Sequence, residues 1–142
     1  MAKPVYLLDT NVVSDLVRRP AGRVRDCVAE RGEESVCTSI IVAAELRFGA
    51  AKKGSDRLTK QLETVLGALE VLPYLEPADR CYGDLRTALE RAGTPIGAND
   101  LLIASHALSL GLTLVTHNEA EFRRVPGLSV ENWLRAPADD VR

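Results

Sequence analysis

Four apolar residues in a row, Val5-Tyr6-Leu7-Leu8, stop abruptly at Asp9-Thr10-Asn11, after which Val12, Val13 and Leu16 return at helical spacing. The pattern predicts a buried strand feeding straight into a helix, with Asp9 at the strand's carboxyl end. Arg18-Arg19-Pro20-Ala21-Gly22 breaks it, and a second helix is expected over 23–31, spaced through Val24 and Val28 and stopped at Gly32. Residues 35–38 are short and β-prone, a second strand, with Thr38 or Ser39 capping a helix over 40–52. Beyond Gly54-Ser55-Asp56, the residues Leu58, Leu62, Val65, Leu66 and Leu69 keep a 3.6-residue period, so a long amphipathic helix follows and then a brief third strand at 71–73. Pro77 suits a first turn, which places a helix over 77–92 closed by Gly93. A loop at 94–100 leads into a helix over 101–110 ended by Gly111, then a fourth strand at 112–116, a helical turn at 119–122 and a weak strand at 128–130. Strands alternating with helices predict an α/β fold with a mostly parallel central sheet of about five strands flanked by helices. One domain is expected over 1–134, with 135–142 as a flexible tail.

Composition changes this picture little but excludes much. A chain of 142 residues with 46% hydrophobic content supports one substantial core. The net charge of −2 and 4% aromatics do not describe a nucleic-acid-coating protein, so any RNA or DNA contact must be local. Cys27, Cys37 and Cys81 are far apart and odd in number, which argues against a disulfide framework or a zinc knuckle and for a reducing cytoplasm. The apolar run after Lys3-Pro4 is too short for a signal peptide, and no later run is long enough for a bilayer.

The candidate chemistry lies in acids at the ends of predicted elements. In open parallel sheets ligands bind beyond the strands' carboxyl ends, where Asp9 is placed. Asp9 also reads as a plain N-cap. Glu45 has Ile41, Val42, Phe48 and Gly49 as helical neighbours, so it is expected on a face turned inward, where an ionised carboxylate needs a cation, a proton or an aqueous cleft. Asp100 sits at a helix start, where any carboxylate is favoured, yet it continues the inward stripe Ile103, Ala104 and Ala107. Asn118 falls beside Asp9 if the first and fourth strands are neighbours, and Asn118 with Glu121 also has capping-box spacing. If Asp9, Glu45 and Asp100 converge, each pair at about 4 Å and an effective dielectric near 20 repels by about 4 kcal/mol, so a proton or a cation must hold them. Oxygen donors alone favour Mg²⁺, with Mn²⁺ as substitute, over zinc.

Leu8-Asp9-Thr10-Asn11, the run from Ala44-Glu45-Leu46 to Ala50, the run from Gly97-Ala98-Asn99-Asp100 to Ala104, and Leu114-Val115-Thr116-His117-Asn118 through Phe122 recur in this order, followed by Val125-Pro126-Gly127-Leu128 and Trp133. In this ordered set the chain resembles the PIN-domain ribonucleases, and within them the VapC-type toxins of bacterial toxin–antitoxin pairs. The resemblance implies a Rossmann-like sheet, a Mg²⁺ or Mn²⁺ site on Asp9, Glu45 and Asp100, and endonucleolytic cleavage of structured RNA such as tRNA. Asp9 and Asp100 would hold the metal, Glu45 would ligate it or position the attacking water, and the products would carry a 5′-phosphate and a 3′-hydroxyl. The family often adds a fourth acid after the fourth strand, where this chain offers Asn118 or Glu121. Thr10, Asn11, Ser39 and Thr116 look like groups that orient carboxylates or bound water. Arg47, Lys52, Lys53, Arg86 and Arg91 are candidate contacts to RNA phosphates. The family also implies a homodimer and a VapB-type antitoxin whose C-terminal segment crosses the cleft.

Three other readings compete. His106 and His117 could form a metal-free acid/base pair, although His106 has apolar helical neighbours and reads as packed. A Mg²⁺-dependent signalling module also gathers acids at strand ends, but Thr10-Asn11 stands where a second acid belongs. An RNA-binding PIN domain without catalysis remains open through the missing fourth acid.

Overall fold

The computed structural model describes residues 3–135. The elements run β1 (Tyr6–Leu8), α1 (Thr10–Arg18), α2 (Arg23–Arg31), a 3₁₀ turn (Glu33–Ser35), β2 (Val36–Ser39), α3 (Ile40–Lys53), α4 (Asp56–Ala68), β3 (Glu70–Leu72), α5 (Ala78–Arg91), α6 (Ala98–Leu110), β4 (Thr113–Val115), α7 (Glu119–Phe122) and β5 (Val130–Glu131). The five strands form one sheet in the order β3-β2-β1-β4-β5, and every pairing is parallel. The predicted sheet was mostly parallel; among the described residues it is wholly so. Leu8 pairs with Thr38 on one side and Val115 on the other, so β1 is the central strand.

That position explains the opening run of the sequence. Leu7 and Leu8 are fully buried, and a strand covered on both faces has no polar side to show. Each leucine so placed contributes about 1.5–3 kcal/mol. α6 is nearly as dry, burying Leu101, Ile103, Ala104, Ser105, His106 and Ala107. In α4, Leu62 and Leu66 are buried while Leu58, Val65 and Leu69 pack around the core's edge, so the stripe serves the interior. Gly54 and Gly111 end α3 and α6 in the left-handed region, at φ 66° and 68°, where a side chain would be strained.

Several boundaries differ from expectation. α6 begins at Ala98 rather than 101, because Gly97 takes the cap position and accepts from Leu101 N at 2.9 Å. Asn99 and Asp100 therefore lie inside its first turn. β5 sits at Val130–Glu131, past the expected 128–130, since Gly127 still belongs to a turn with φ 80°. Ser39, not Thr38, caps α3, accepting from Ile41 N at 3.0 Å; the Thr38 hydroxyl donates to the Leu8 carbonyl instead, at 2.7 Å. Apart from Arg135, the expected tail over 135–142 lies outside the described residues. Among the described residues no helix is long and apolar enough to cross a membrane.

Candidate active site

The carboxyl ends of β1, β2 and β4 and the first turns of α1 and α6 open onto one mouth. Asp9 occupies its floor at 3% exposure. It caps α1, its Oδ1 accepting from Thr10 N at 2.8 Å, while the buried Thr116 hydroxyl donates to its Oδ2 at 2.7 Å. The cap reading of Asp9 holds, and the same side chain lies at the mouth. Burial raises its pKa, the bonds from Thr116 and Thr10 pull it back, and the charges of Glu45 and Glu121 raise it further.

Glu45 reaches the same mouth from α3. Its Oε1 accepts from the Thr10 hydroxyl at 2.6 Å and its Oε2 from the Asn99 amide at 3.0 Å. The expectation that it lies on a fully buried face needs correcting: Val42 is buried, but Phe48 is 69% exposed and Glu45 itself half-buried. α3 runs along the rim of the cleft, with solvent on one flank.

Asp100 enters from α6, above Ile103, Ala104 and Ala107, which are buried as the stripe predicted. Its pKa is pushed up to about 8, first by burial, then by a hydrogen bond shared with Glu121, then by the charges of Glu121, Asp9 and Glu45. Two carboxyl groups can share a hydrogen bond only when one keeps its proton, which adds to the effect of burial. Glu121 is accordingly the fourth acid at the mouth. Its Oε2 also accepts from Asn118 Nδ2 at 3.0 Å, and its Oε1 faces Gly97 N at 3.5 Å. Asn118 makes no side-chain cap bond to α7, so the capping box is not formed; the amide holds Glu121 instead, and the Asn118 N–H donates to Thr116 Oγ1 at 3.0 Å.

Two expected orienting groups act elsewhere. The Asn11 amide oxygen accepts from His117 N at 3.0 Å, which ties α1 to the loop after β4 rather than to an acid. Ser39 points away from the mouth and meets His106 Nδ1 at 2.8 Å. His106 is 1% exposed, its Nε2 is the one buried side-chain polar atom without a partner among the described residues, and burial lowers its pKa. It is a packed, neutral histidine. His117 is exposed, and no hydrogen bond joins the two, so the metal-free pair is not assembled.

The cations sort unevenly. Arg47 is held by Glu63 of α4 through two bonds of 3.0 and 2.9 Å, and Arg86 by Glu90 and the Tyr82 hydroxyl at 2.9 and 3.1 Å. Lys52 and Arg91 are exposed. Lys53 lines a groove of about 440 Å³ that leaves the mouth between α1, α3 and α4, bounded by Thr10, Asn11, Glu45 and Leu58. Arg18, which the sequence did not single out, lines the same groove.

The donors at the mouth are all carboxylate, amide and hydroxyl oxygens, a set that fits a hard divalent cation. Among the described residues no three His, Cys, Asp or Glu side chains are already arranged to hold an ion. Asp100 shares a hydrogen bond with Glu121, and Glu45 is held by Thr10 and Asn99. A cation bound there would oppose the upward shift of both Asp9 and Asp100 by favouring their ionised forms. Sequence reasoning missed Asn99, because nothing local distinguishes it from any polar residue in a helix's first turn.

Comparison with known proteins follows the same lines. Residues 6–128 match the family described as PIN domain. Ribonuclease VapC2 of Rickettsia felis is 40% identical over 131 residues, covering 91% of this chain and 98% of its own length. The tRNA(fMet)-specific endonuclease VapC of Salmonella typhimurium is 36% identical over 129 residues, covering 90% of this chain and 97% of its own. The crystal structure of VapBC2 from Rickettsia felis bound to a DNA fragment from the promoter superposes with a TM-score of 0.84 at 37% identity, covering 91% of this chain and 98% of that one.

Proposed function

The chain belongs to the VapC-type PIN-domain ribonucleases, and we propose that within that family it is a Mg²⁺-dependent endoribonuclease, with Mn²⁺ as a substitute, that cuts structured RNA of the tRNA kind and is restrained by a VapB-type antitoxin. What carries this reading is the convergence on one mouth of Asp9, Glu45, Asp100 and Glu121: Asp100, its pKa pushed up to about 8 first by its burial, also feels the other three acids. A protein gains nothing in stability from such crowding, and a cationic ligand is the economical reason to keep it. Asp9, Glu45, Asp100 and Glu121 would hold the ion.

A divalent cation bound there supplies charge neutralisation at a phosphoryl group and a water of lowered pKa, the two needs of phosphodiester hydrolysis. The chain's own residues prepare the ground. Thr116 and the Thr10 N–H fix both oxygens of Asp9, and Thr10 with Asn99 fixes both oxygens of Glu45. Asp100, whose carboxyl is pushed toward its protonated form, would release that proton to solvent if it ligated the ion. With water attacking phosphorus and the 3′-oxygen leaving with a proton, the P–O3′ bond would break to give a 5′-phosphate and a 3′-hydroxyl. Lys53 and Arg18 in the adjoining groove are better placed for RNA phosphates than Arg47 and Arg86, which already have carboxylate partners.

The tRNA preference is supported by the name of the Salmonella relative, and the antitoxin by the VapBC complexes among the structural neighbours. A homodimer is part of the same proposal. The test is cleavage of total cellular RNA by the purified protein with Mg²⁺, Mn²⁺ or EDTA, beside Asp100→Asn, with product ends mapped. Discrete 5′-phosphate ends that vanish with EDTA and with the variant are expected. Cuts that persist in EDTA would end the metal reading.

A further inference from the structure

We infer that Asn99 is a positioning residue for Glu45 and, through Glu45, sets how tightly the acidic mouth takes up a divalent cation; this rests on the metal-dependent reading above. Glu45 is gripped from both sides, by the Thr10 hydroxyl on Oε1 at 2.6 Å and by the Asn99 amide on Oε2 at 3.0 Å. Thr10 directly follows Asp9, and Asn99 directly precedes Asp100. The neutral neighbours of two acids therefore hold the third, and the three chain segments that deliver carboxylates are tied together by groups carrying no charge. With like charges facing one another, such ties hold the Glu45 carboxylate in one orientation against their repulsion.

The amide of Asn99 has no other evident employment. It lies in the first turn of α6, is exposed to solvent, and makes no cap bond, since Gly97 occupies the cap position without a side chain. Glu45 is the one partner its side chain has among the described residues. An exposed asparagine adds nothing to the core, so its bond acts on Glu45 rather than on the fold. Asparagine also suits the position in a way aspartate does not: its NH₂ donates to the carboxylate, where an acid would set a further like charge against it. Both oxygens of Glu45 keep a lone pair after these bonds, so the grip orients the carboxylate and leaves it free to face a cation.

The experiment titrates Mn²⁺ into the full-length, metal-free protein by calorimetry for four proteins: wild type, Asn99→Ala, Glu45→Gln and the double variant. Thermal unfolding of each metal-free protein runs alongside. Asn99→Ala is expected to weaken Mn²⁺ binding roughly tenfold, the lower end of what losing a group that orients a metal ligand costs. Its metal-free unfolding should match wild type within about 1 °C, since an exposed substitution away from the core changes stability little. In the Glu45→Gln background the same substitution should change affinity by less than about twofold, because a residue acting through Glu45 has nothing left to act on. Equal Mn²⁺ affinity in wild type and Asn99→Ala would overturn the inference while leaving the metal reading intact, and so would a tenfold loss that persists in the Glu45→Gln background. A wild type that takes up no Mn²⁺ would overturn the metal reading itself, and the inference with it.

Discussion

Asp9 is sealed at 3% exposure and answers its burial with two hydrogen-bond donors, Thr10 N and the Thr116 hydroxyl. Asp100, half-buried across the same mouth, has another acid, Glu121, as its hydrogen-bond partner, and its pKa climbs to about 8. The more exposed of the two is thus the more perturbed in kind. Burial sets the cost of a charge, but the partner decides whether that cost is met: a donor lets an acid stay ionised, and a second acid obliges it to keep its proton. In Asp9 the donors work against the upward pull of burial, whereas in Asp100 the partner acid adds to it.

The largest effects would come from removing either. Asp9→Ala and Asp100→Ala are both expected to abolish RNA cleavage in a gel assay, and full activity in either would break the assignment. Their stabilities should part company. Asp9→Ala loses a helix cap of about 1 kcal/mol and leaves the buried Thr116 hydroxyl without its acceptor, a further ~1–3 kcal/mol. Urea unfolding should show that loss, whereas Asp100→Asn should leave the metal-free protein as stable as wild type or more so.

Next in size is Thr116→Val, which strips Asp9 of the bond that lowers its pKa. Activity should fall about 10–100-fold, the usual cost of losing a group that orients a ligand, and the acidic limb of the pH–rate profile should move to higher pH. An unmoved limb would mean that Asp9 does not titrate in that range.

Asp100 predicts a pH dependence of stability with a definite sign. Its folded-state pKa, about 8, lies above the ordinary 3.8, so the native state holds a proton that the unfolded chain releases. Stability from this source is complete below about pH 4 and is lost as pH rises toward 8. Melting of the metal-free protein followed from pH 5 to 8 should decline by several degrees, the decline should flatten in Asp100→Asn, and saturating Mn²⁺ at pH 8 should reverse it by about 2.7 kcal/mol at a hundred times the dissociation constant. The smallest effects belong to the cations: Lys53→Ala should weaken RNA binding a few-fold and flatten its salt dependence by about one charge, while Arg47→Ala, already engaged by Glu63, should change it less than twofold.

The alternation of elements was legible because burial on both faces writes itself as an apolar run, as at Leu7 and Leu8, and one-sided burial as a 3.6-residue stripe, as in Leu58 to Leu69; Val5, which extended the first run, is exposed and lies outside β1. Asp9, Glu45 and Asp100 stood out as charges interrupting those patterns. Their partners did not. Asn99 meets Glu45 across 54 residues and Thr116 meets Asp9 across 107, distances at which local spacing carries no information. Arg47 read as a free cation for the same reason, since Glu63 lies on the next helix. Ser39 and Asn11 have the right chemistry for orienting an acid but sit on a strand end and a helix turn that aim them at His106 and His117. Side-chain direction is a tertiary property, and the sequence holds it only implicitly.

The central strand of the sheet is also the first of the five in chain order. β1 lies between β2 and β4, and Leu8 pairs with Val115. A growing chain that ends before β4 has only half of the scaffold beneath Asp9, and it lacks Thr116, which fixes that acid, and Glu121, which bears on Asp100. Closing contacts of such long sequence separation come late in folding. The acids of the mouth are therefore gathered from segments spread between residue 9 and residue 121, so no fragment that stops before β4 carries the whole site.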